Sequence, residues 1–244
     1  MLTYAIGDIH GHLAQLQDLH GLIEKDRAAQ GPTAAPVVHI GDLVDRGPDS
    51  RGVIDFLIAG RAQGADWVVL RGNHDRMFRG FLDDADYQDP RLRTDLSWLH
   101  ERLGGAATLA SYGITGAGAR FLHDLQADAR EAVPAAHVAF LDELQNYHLR
   151  DTSLFVHAGV RPGVDLRHQT EDDLLWIRND FLKDDRDHGA LIVHGHTPVD
   201  RVTHYGNRLN LDTGAGYGDP MSAVAIEGSA VFQLTPRGRV RIAP

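Results

Sequence analysis

Cysteine is absent from the 244 residues, which excludes disulfides, thiolate metal sites, iron–sulfur clusters and cysteine nucleophiles. Any metal must be held by nitrogen and oxygen. Positive charge is scarce as well. The 24 Lys plus Arg stand against 34 Asp plus Glu, a formal charge of −10, which argues against an extended nucleic-acid surface built on phosphate neutralisation. Long apolar runs are also missing. No stretch approaches the roughly 20 residues needed to cross a bilayer, and the first residues, MLTYAIGDIHG, lack the basic start and apolar run of a secretory signal. The expectation is a cytoplasmic location with no membrane partner. The remaining composition, 43% hydrophobic and 24% charged, is ordinary for a globular chain apart from its 15 histidines.

The first third of the chain repeats one unit. An apolar run, Leu2 to Ile6, enters a Gly-Asp turn and then a helical stretch in which Leu13, Leu16, Leu19, Leu22 and Ile23 recur every three or four residues. Pro36 to Ile40 forms a second strand, followed by the turn GDLVDRGPDS and a helix containing Val53 to Ile58. Asp66 to Leu70 forms a third, followed by RGNHD and a helix starting near His74. Such alternation predicts parallel strands with right-handed crossovers, and ligands collect beyond the carboxyl ends of such strands. Residues 83–147 read as a helical insertion or cap within one domain spanning 1–244, with Gly104-Gly105 as a helix stop and Pro134 as a helix start. Thr152 to Val156 and Leu191 to Val193 are strands, and Thr170 caps a helix running through EDDLLWIRNDFL. From Val199 to Ile242, short alternating runs between Gly and Asn turns predict an antiparallel meander.

Five turns after predicted strands carry metal-ligand or phosphate-binding residue types: GDIHG (7–11), GDLVDRG (41–47), RGNHD (71–75), HAG (157–159) and HGHTP (194–198). Parallel strands bring such turns to one edge, where Asp8, His10, Asp42, Asn73, His157 and His196 can converge. Six donors are too many for a single catalytic ion with an open position, and they suit two ions sharing a carboxylate. Asp42, in the middle turn, is the natural bridge. Mixed carboxylate, imidazole and amide donors favour manganese, iron or zinc over calcium; Mn2+ is the working expectation.

The ordered set GDIHG, GDLVDRG, GNHD, HAG and GHTP, with WIR at 176–178 and LDTGA at 211–215, resembles the metallophosphoesterases. It is most similar to the bacterial and phage branch of the phosphoprotein phosphatases, whose relatives include diadenosine tetraphosphatases. The resemblance implies an α/β/β/α sandwich with two facing mixed sheets. It implies one metal on Asp8, His10 and Asp42, and a second on Asp42, Asn73, His157 and His196. His74 resembles the family's general acid and Asp45 its orienting partner; Arg46, Arg71 and Arg178 resemble its phosphate clamps. A leaving oxygen gains from protonation, a carboxylate on the far imidazole nitrogen fixes the tautomer, and guanidinium forks match phosphate oxygens. The implied chemistry is direct hydrolysis by a metal-bridging hydroxide, without a phosphoenzyme.

His194 falls where relatives are usually apolar and is expected to be a neighbour, not a ligand. GAGYG (214–218) lacks nucleotide-loop spacing and reads as a tight turn. Trp67, Trp98 and Trp176 read as core residues. The leading substrate expectation is a phosphomonoester, phosphoserine or phosphothreonine in a protein, favoured by the intact Asp45. The alternative is a dinucleoside polyphosphate or capped RNA end, favoured by GNHD in place of GNHE. The letters are silent on oligomeric state.

Overall fold

The computed structural model describes residues 1–31 and 34–244. Its first half follows the repeated unit: β1 (Leu2–Ile6), α1 (Leu13–Gln30), β2 (Val37–His39), α2 (Ser50–Ala62), β3 (Trp67–Val69) and α3 (Asn73–Asp83). Three helices follow, α4 (Gly105–Ser111), α5 (Leu122–Ala132) and α6 (Ala135–Asp142). Then come β4 (Tyr147–Arg150), β5 (Ser153–Val156), α7 (Glu171–Trp176), α8 (Asn179–Leu182) and β6 (Leu191–His194). The chain ends with β7 (Thr203–His204), β8 (Arg208–Asn210), β9 (Ala223–Glu227), β10 (Ala230–Thr235) and β11 (Gly238–Ile242).

Two mixed sheets result, with strand orders β11-β10-β9-β1-β2-β3 and β4-β5-β6-β8-β7. The alternation of side chains along each strand explains why they stack. On β1, Tyr4 and Ile6 join the core under α1 and α2, whereas Ala5 joins a second core; Val37 and Val38 divide in the same way on β2. On β5 and β6, Phe155 and Val193 enter that second core, while Leu154, Val156 and Ile192 pack with Leu174 and Phe181 from α7 and α8. Period-two apolar residues buried on both faces require a cover on each side. The outcome is four layers, helix, sheet, sheet, helix.

Three local expectations differ from the structure. The segment after Val199 is not one meander: β7 and β8 belong to the second sheet, where β8 runs parallel to β6, and only β9 to β11 extend the first sheet antiparallel. Alternating runs signal strands but do not say which sheet receives them. Gly104 does not stop a helix; it takes a left-handed conformation (φ 84°) and precedes α4, which Gly105 begins. The helix expected through EDDLLWIRNDFL breaks between Trp176 and Asn179, because Arg178 adopts a non-helical φ of −132° and ψ of −102°. Pro134 does start a helix, α6.

Candidate functional site

All of β1, β2 and β3 are mutually parallel, and so are β5, β6 and β8. The turns leaving their carboxyl ends meet along one edge of the sandwich. Backbone bonds tie the turns together: His10 N–H donates to Asp42 O at 2.7 Å, Gly195 N–H to His157 O at 2.8 Å and Leu211 N–H to His194 O at 2.8 Å. Asp75, the last residue of RGNHD, accepts from Leu43 N–H at 2.9 Å and Gly72 N–H at 2.8 Å, locking the second turn to the third. A Cβ on Gly72 would overlap the Asp42 carboxylate, so only glycine lets these turns approach this closely. Six non-glycine residues have positive φ among the described residues; five are His10, Asp42, Asp45, Arg46 and His196. Backbone strain of this kind persists only where the surroundings enforce it, and it gathers at functional sites.

Asp42 sits at the centre. Its Oδ2 lies 3.5 Å from His10 Nε2 and its Oδ1 lies 3.4 Å from His157 Nε2. Two compact donor groups share it, His10 with His74 on one side and His157 with His196 on the other. Asp8 is outside both groups; its carboxylate accepts the His196 N–H at 3.1 Å. Asn73 Oδ1 stands 3.0 Å from His157 Nε2. All of these residues are buried.

The protonation pattern tests whether a cation belongs here. His157 Nδ1 faces the Ile40 carbonyl at 3.0 Å and His10 Nδ1 faces the Val44 carbonyl at 2.9 Å. Each Nδ1 must therefore carry the hydrogen. Burial pushes both imidazoles below their ordinary pKa, so their Nε2 atoms are bare lone pairs. His157 Nε2, Asn73 Oδ1 and Asp42 Oδ1 then converge with no proton between them. Three lone pairs facing one another fit a divalent cation. The acids agree. Burial, then Asp212 and Asp42, raise the Asp8 carboxyl well above its usual range. Burial and Asp42 push Asp212 up to about 6. In Asp42, burial opposes ionisation but His157, His74, His10 and His196 outweigh it, leaving its pKa depressed. The donor set of nitrogen and oxygen atoms therefore fits divalent ions on both sides of Asp42.

His74 projects from the first turn of α3. Its Nδ1 is 2.6 Å from Asp45 Oδ2, and its Nε2 receives Arg46 Nη2 at 3.2 Å. Arg46 Nη1 also reaches His10 Nε2 at 2.9 Å. The helix break described above turns Arg178 inward, where its Nε donates to His196 Nε2 at 3.0 Å. Arg71 is not gathered with them. Its guanidinium is taken by Glu171 at 3.1 Å and by the carbonyls of Leu141 and Asp142, because α6 and α7 flank it. His194 lies beneath the site with Nδ1 against the Gly195 carbonyl, and burial together with Arg208 lowers its pKa to about 3.

Four residues that the sequence does not assign to the site shape it, Trp98 among them, which reads only as core. Asp75 clamps the turns. Asp212 adds a further buried acid; its signal is in LDTGA, which matches a motif but leaves the aspartate unassigned. Trp98 and Thr108 hold Asp45 through the indole N–H at 2.9 Å and the hydroxyl at 2.6 Å. Both come from the segment after α3, and nothing in its letters marks them.

A profile of the calcineurin-like phosphoesterases matches residues 1–225. The chain belongs to this family. Its members use a binuclear divalent metal centre, in keeping with the two donor groups that share Asp42. The chain is 27% identical to a bis(5'-nucleosyl)-tetraphosphatase PrpE (asymmetrical) of Anoxybacillus flavithermus, over 92% of this chain and 90% of that one. A protein of the same name from Bacillus thuringiensis is 25% identical over 90% and 88%. Among solved structures, a chain assigned as a diadenosine tetraphosphatase superposes with a TM-score of 0.63 at 21% identity, covering 99% of this chain and 94% of that one. A cold-active protein-tyrosine phosphatase from a Shewanella species gives 0.60 at 17% identity, over 99% and 80%. These two share the fold. No helix among the described residues is long and apolar enough to cross a membrane.

Proposed function

We propose that this phosphoesterase hydrolyses dinucleoside polyphosphates asymmetrically, with two divalent ions. The observation that carries the hydrolase reading is Asp42, whose two oxygens face separate imidazole groups while Arg46 and Arg178 reach in over the same cluster. The substrate reading draws its support from the shared name of relatives aligned over about nine-tenths of both chains. It reverses the order suggested by the sequence, which put phosphoproteins first.

In this reading Asp8, His10 and Asp42 hold one ion, and Asp42, Asn73, His157 and His196 hold the other. When bound, the ions neutralise phosphate charge and lower the pKa of the attacking water. The chain's own residues do the rest. Arg46 and Arg178 present guanidinium forks to the phosphate oxygens. Asp45 accepts from His74 Nδ1–H, which leaves Nε2 aimed at the cluster, and the protonated ring delivers its Nε2 hydrogen to the departing oxygen. Burial of Asp8, Asp42 and Asp212 keeps bulk water from screening these charges.

A second reading, phosphoserine or phosphothreonine hydrolysis, is favoured by the intact Asp45–His74 pair. A parallel assay separates the two. Diadenosine tetraphosphate and a phosphoserine peptide are offered to the full chain with added manganese, with and without EDTA. The expected result is ATP plus AMP from the dinucleotide, abolished by EDTA, with kcat/KM at least tenfold above that for the peptide. Preference for the peptide overturns the substrate reading, and turnover that survives EDTA overturns the metal reading.

A further inference from the structure

The aromatic ring of Tyr217, beside the site, is left unused by this chemistry. Tyr217 is 66% exposed, yet it is fixed in place: the Arg46 guanidinium lies 4.7 Å from its ring centroid, and that same guanidinium reaches His10 and His74. The loop carrying it is a short 3-10 turn between Gly214 (φ 86°) and Gly218 (φ 95°), closed by Tyr217 N–H to Gly214 O at 2.8 Å. A Cβ on Gly216 would collide with the His10 ring and with Arg46, so the turn lies directly against the candidate site. GAGYG is therefore a tight turn, as its spacing suggests, but one that delivers an aromatic ring to the reaction edge.

Beside this ring opens a cavity of about 540 Å3, lined in part by Pro198, Val199, Asp200, Arg201, Tyr217, Asp219 and Met221. Its size is that of an ordinary small-ligand pocket, for which about 300–1,000 Å3 is usual. Pro198 ends the HGHTP turn, so the cavity is shared by two of the turns that build the site. Its chemistry differs from that of the cluster beside it. Proline, valine and methionine supply apolar surface, and Asp200 and Asp219 supply carboxylates that form no ion pair among the described residues. Those acids accept hydrogen bonds from hydroxyl or amino groups.

From this juxtaposition we propose that Tyr217 and the cavity it borders form a nucleoside subsite. The base stacks on Tyr217, the sugar hydroxyls face Asp219 or Asp200, and the phosphate chain runs past Arg46 toward Asp42. The inference deepens the proposed function and rests on it for the substrate class. The Arg46 guanidinium stands at the cluster end of the ring, and Asp200 and Asp219 offer acceptors at the far end, where Arg201 also lines the wall. Stacking of a base on an aromatic ring is strong enough to change affinity on the order of tenfold.

The test separates binding from turnover. Affinities of the full chain with manganese are measured by calorimetry for α,β-methylene-ADP and for the monomethyl ester of methylenediphosphonate, which carries the same bridged, singly esterified anion without a nucleoside. The wild type is expected to favour the nucleotide analogue about tenfold or more. Tyr217→Ala should lose most of that advantage, and Tyr217→Phe or Tyr217→Trp should retain it. Equal affinity of the wild type for the two probes overturns the subsite. So does a nucleoside advantage that persists in Tyr217→Ala, or a loss of equal size for both probes, which would make Tyr217 only a prop for Arg46. Hydrolysis of diadenosine tetraphosphate is followed in parallel. If the nucleoside advantage stands while the dinucleotide is not cleaved, the substrate reading falls and the subsite remains. If the dinucleotide is cleaved without a nucleoside advantage, the reverse holds.

Discussion

Asp45 Oδ2 stands 2.6 Å from His74 Nδ1, and the same carboxylate is braced by the Trp98 indole N–H at 2.9 Å and the Thr108 hydroxyl at 2.6 Å. A carboxylate held at three points keeps the imidazole in one tautomer with Nε2 toward the cluster. The pair should behave as one unit. His74→Gln is expected to lower kcat by about 10²–10⁴-fold, Asp45→Asn somewhat less, and the double variant no more than His74→Gln alone, because coupled catalytic groups are not additive. The loss should be greater for an alkyl phosphate than for p-nitrophenyl phosphate, whose leaving oxygen needs no proton. Steady-state kinetics on both esters check this; equal losses, or multiplicative effects in the double variant, would refute the acid assignment.

Asp75 is a structural counterpart. It is buried and takes one N–H from each of two turns. Asp75→Ala strands two buried donors, at roughly 1–3 kcal/mol for each, so urea denaturation should report a loss of about 2–6 kcal/mol. Metal affinity should weaken as well, because the GDLVDRG and RGNHD turns carry Asp42 and Asn73. A variant as stable as the wild type would show that the backbone bonds alone hold these turns.

How much of this was legible in the letters depends on the length scale of the cause. The strand, turn and helix units around Asp8, Asp42 and Asn73 are local, set by apolar period and Gly-Asp turns, and β1 to β3 with α1 to α3 follow them closely. Convergence of six donors follows from parallel strands, a rule of topology. The assignment of β7 and β8 to the second sheet is a matter of partners distant in sequence, so the Val199–Ile242 pattern was silent about it. The inward turn of Arg178 depends on a two-residue helix break that WIR does not announce. Arg71 shows the opposite case: the motif places the residue beside the site, while Glu171 and the end of α6 draw its guanidinium aside.

That contrast among arginines is measurable. Arg46 spans His10 and His74, and Arg178 meets His196, whereas Arg71 is held by Glu171 and two carbonyls. Arg46→Ala and Arg178→Ala should each lower kcat/KM by about 10²-fold, on the scale of losing a charge-assisted phosphate contact. Lysine at either position should recover only part of it, since an ammonium lacks the planar fork. Arg71→Ala should cost less than tenfold in kcat/KM and show instead as a lowered unfolding midpoint. A loss at Arg71 as large as at Arg46 would mean that substrate draws Arg71 away from Glu171.

Beneath β2, outside the candidate cluster, His20 and His39 face each other through their Nε2 atoms at 3.1 Å, enclosed by Trp67 and Phe56. His39 Nδ1 meets the Val68 carbonyl, so His39 Nε2 accepts and His20 Nε2–H donates. Burial lowers His20 to about 3, helped by His39 and Arg27, and burial lowers His39 to about 4. The sign follows from linkage. An unfolded histidine takes up its proton near pH 6.5, whereas the folded pair refuses it until pH 3–4, so these groups reduce stability progressively as pH falls through that window and cost nothing above it. Each refused proton steepens the loss by about 1.4 kcal/mol per pH unit. His20→Phe keeps an aromatic ring and removes one such group. Urea denaturation with chelator at pH 4.5, 5.5 and 6.5 should give the variant a slope shallower by about one proton, although His10, His157, His194 and His196, also depressed by burial, keep it from vanishing. Parallel stability curves for the two proteins would mean that His20 is protonated in the folded chain, and the paired-neutral arrangement with His39 would have to be abandoned.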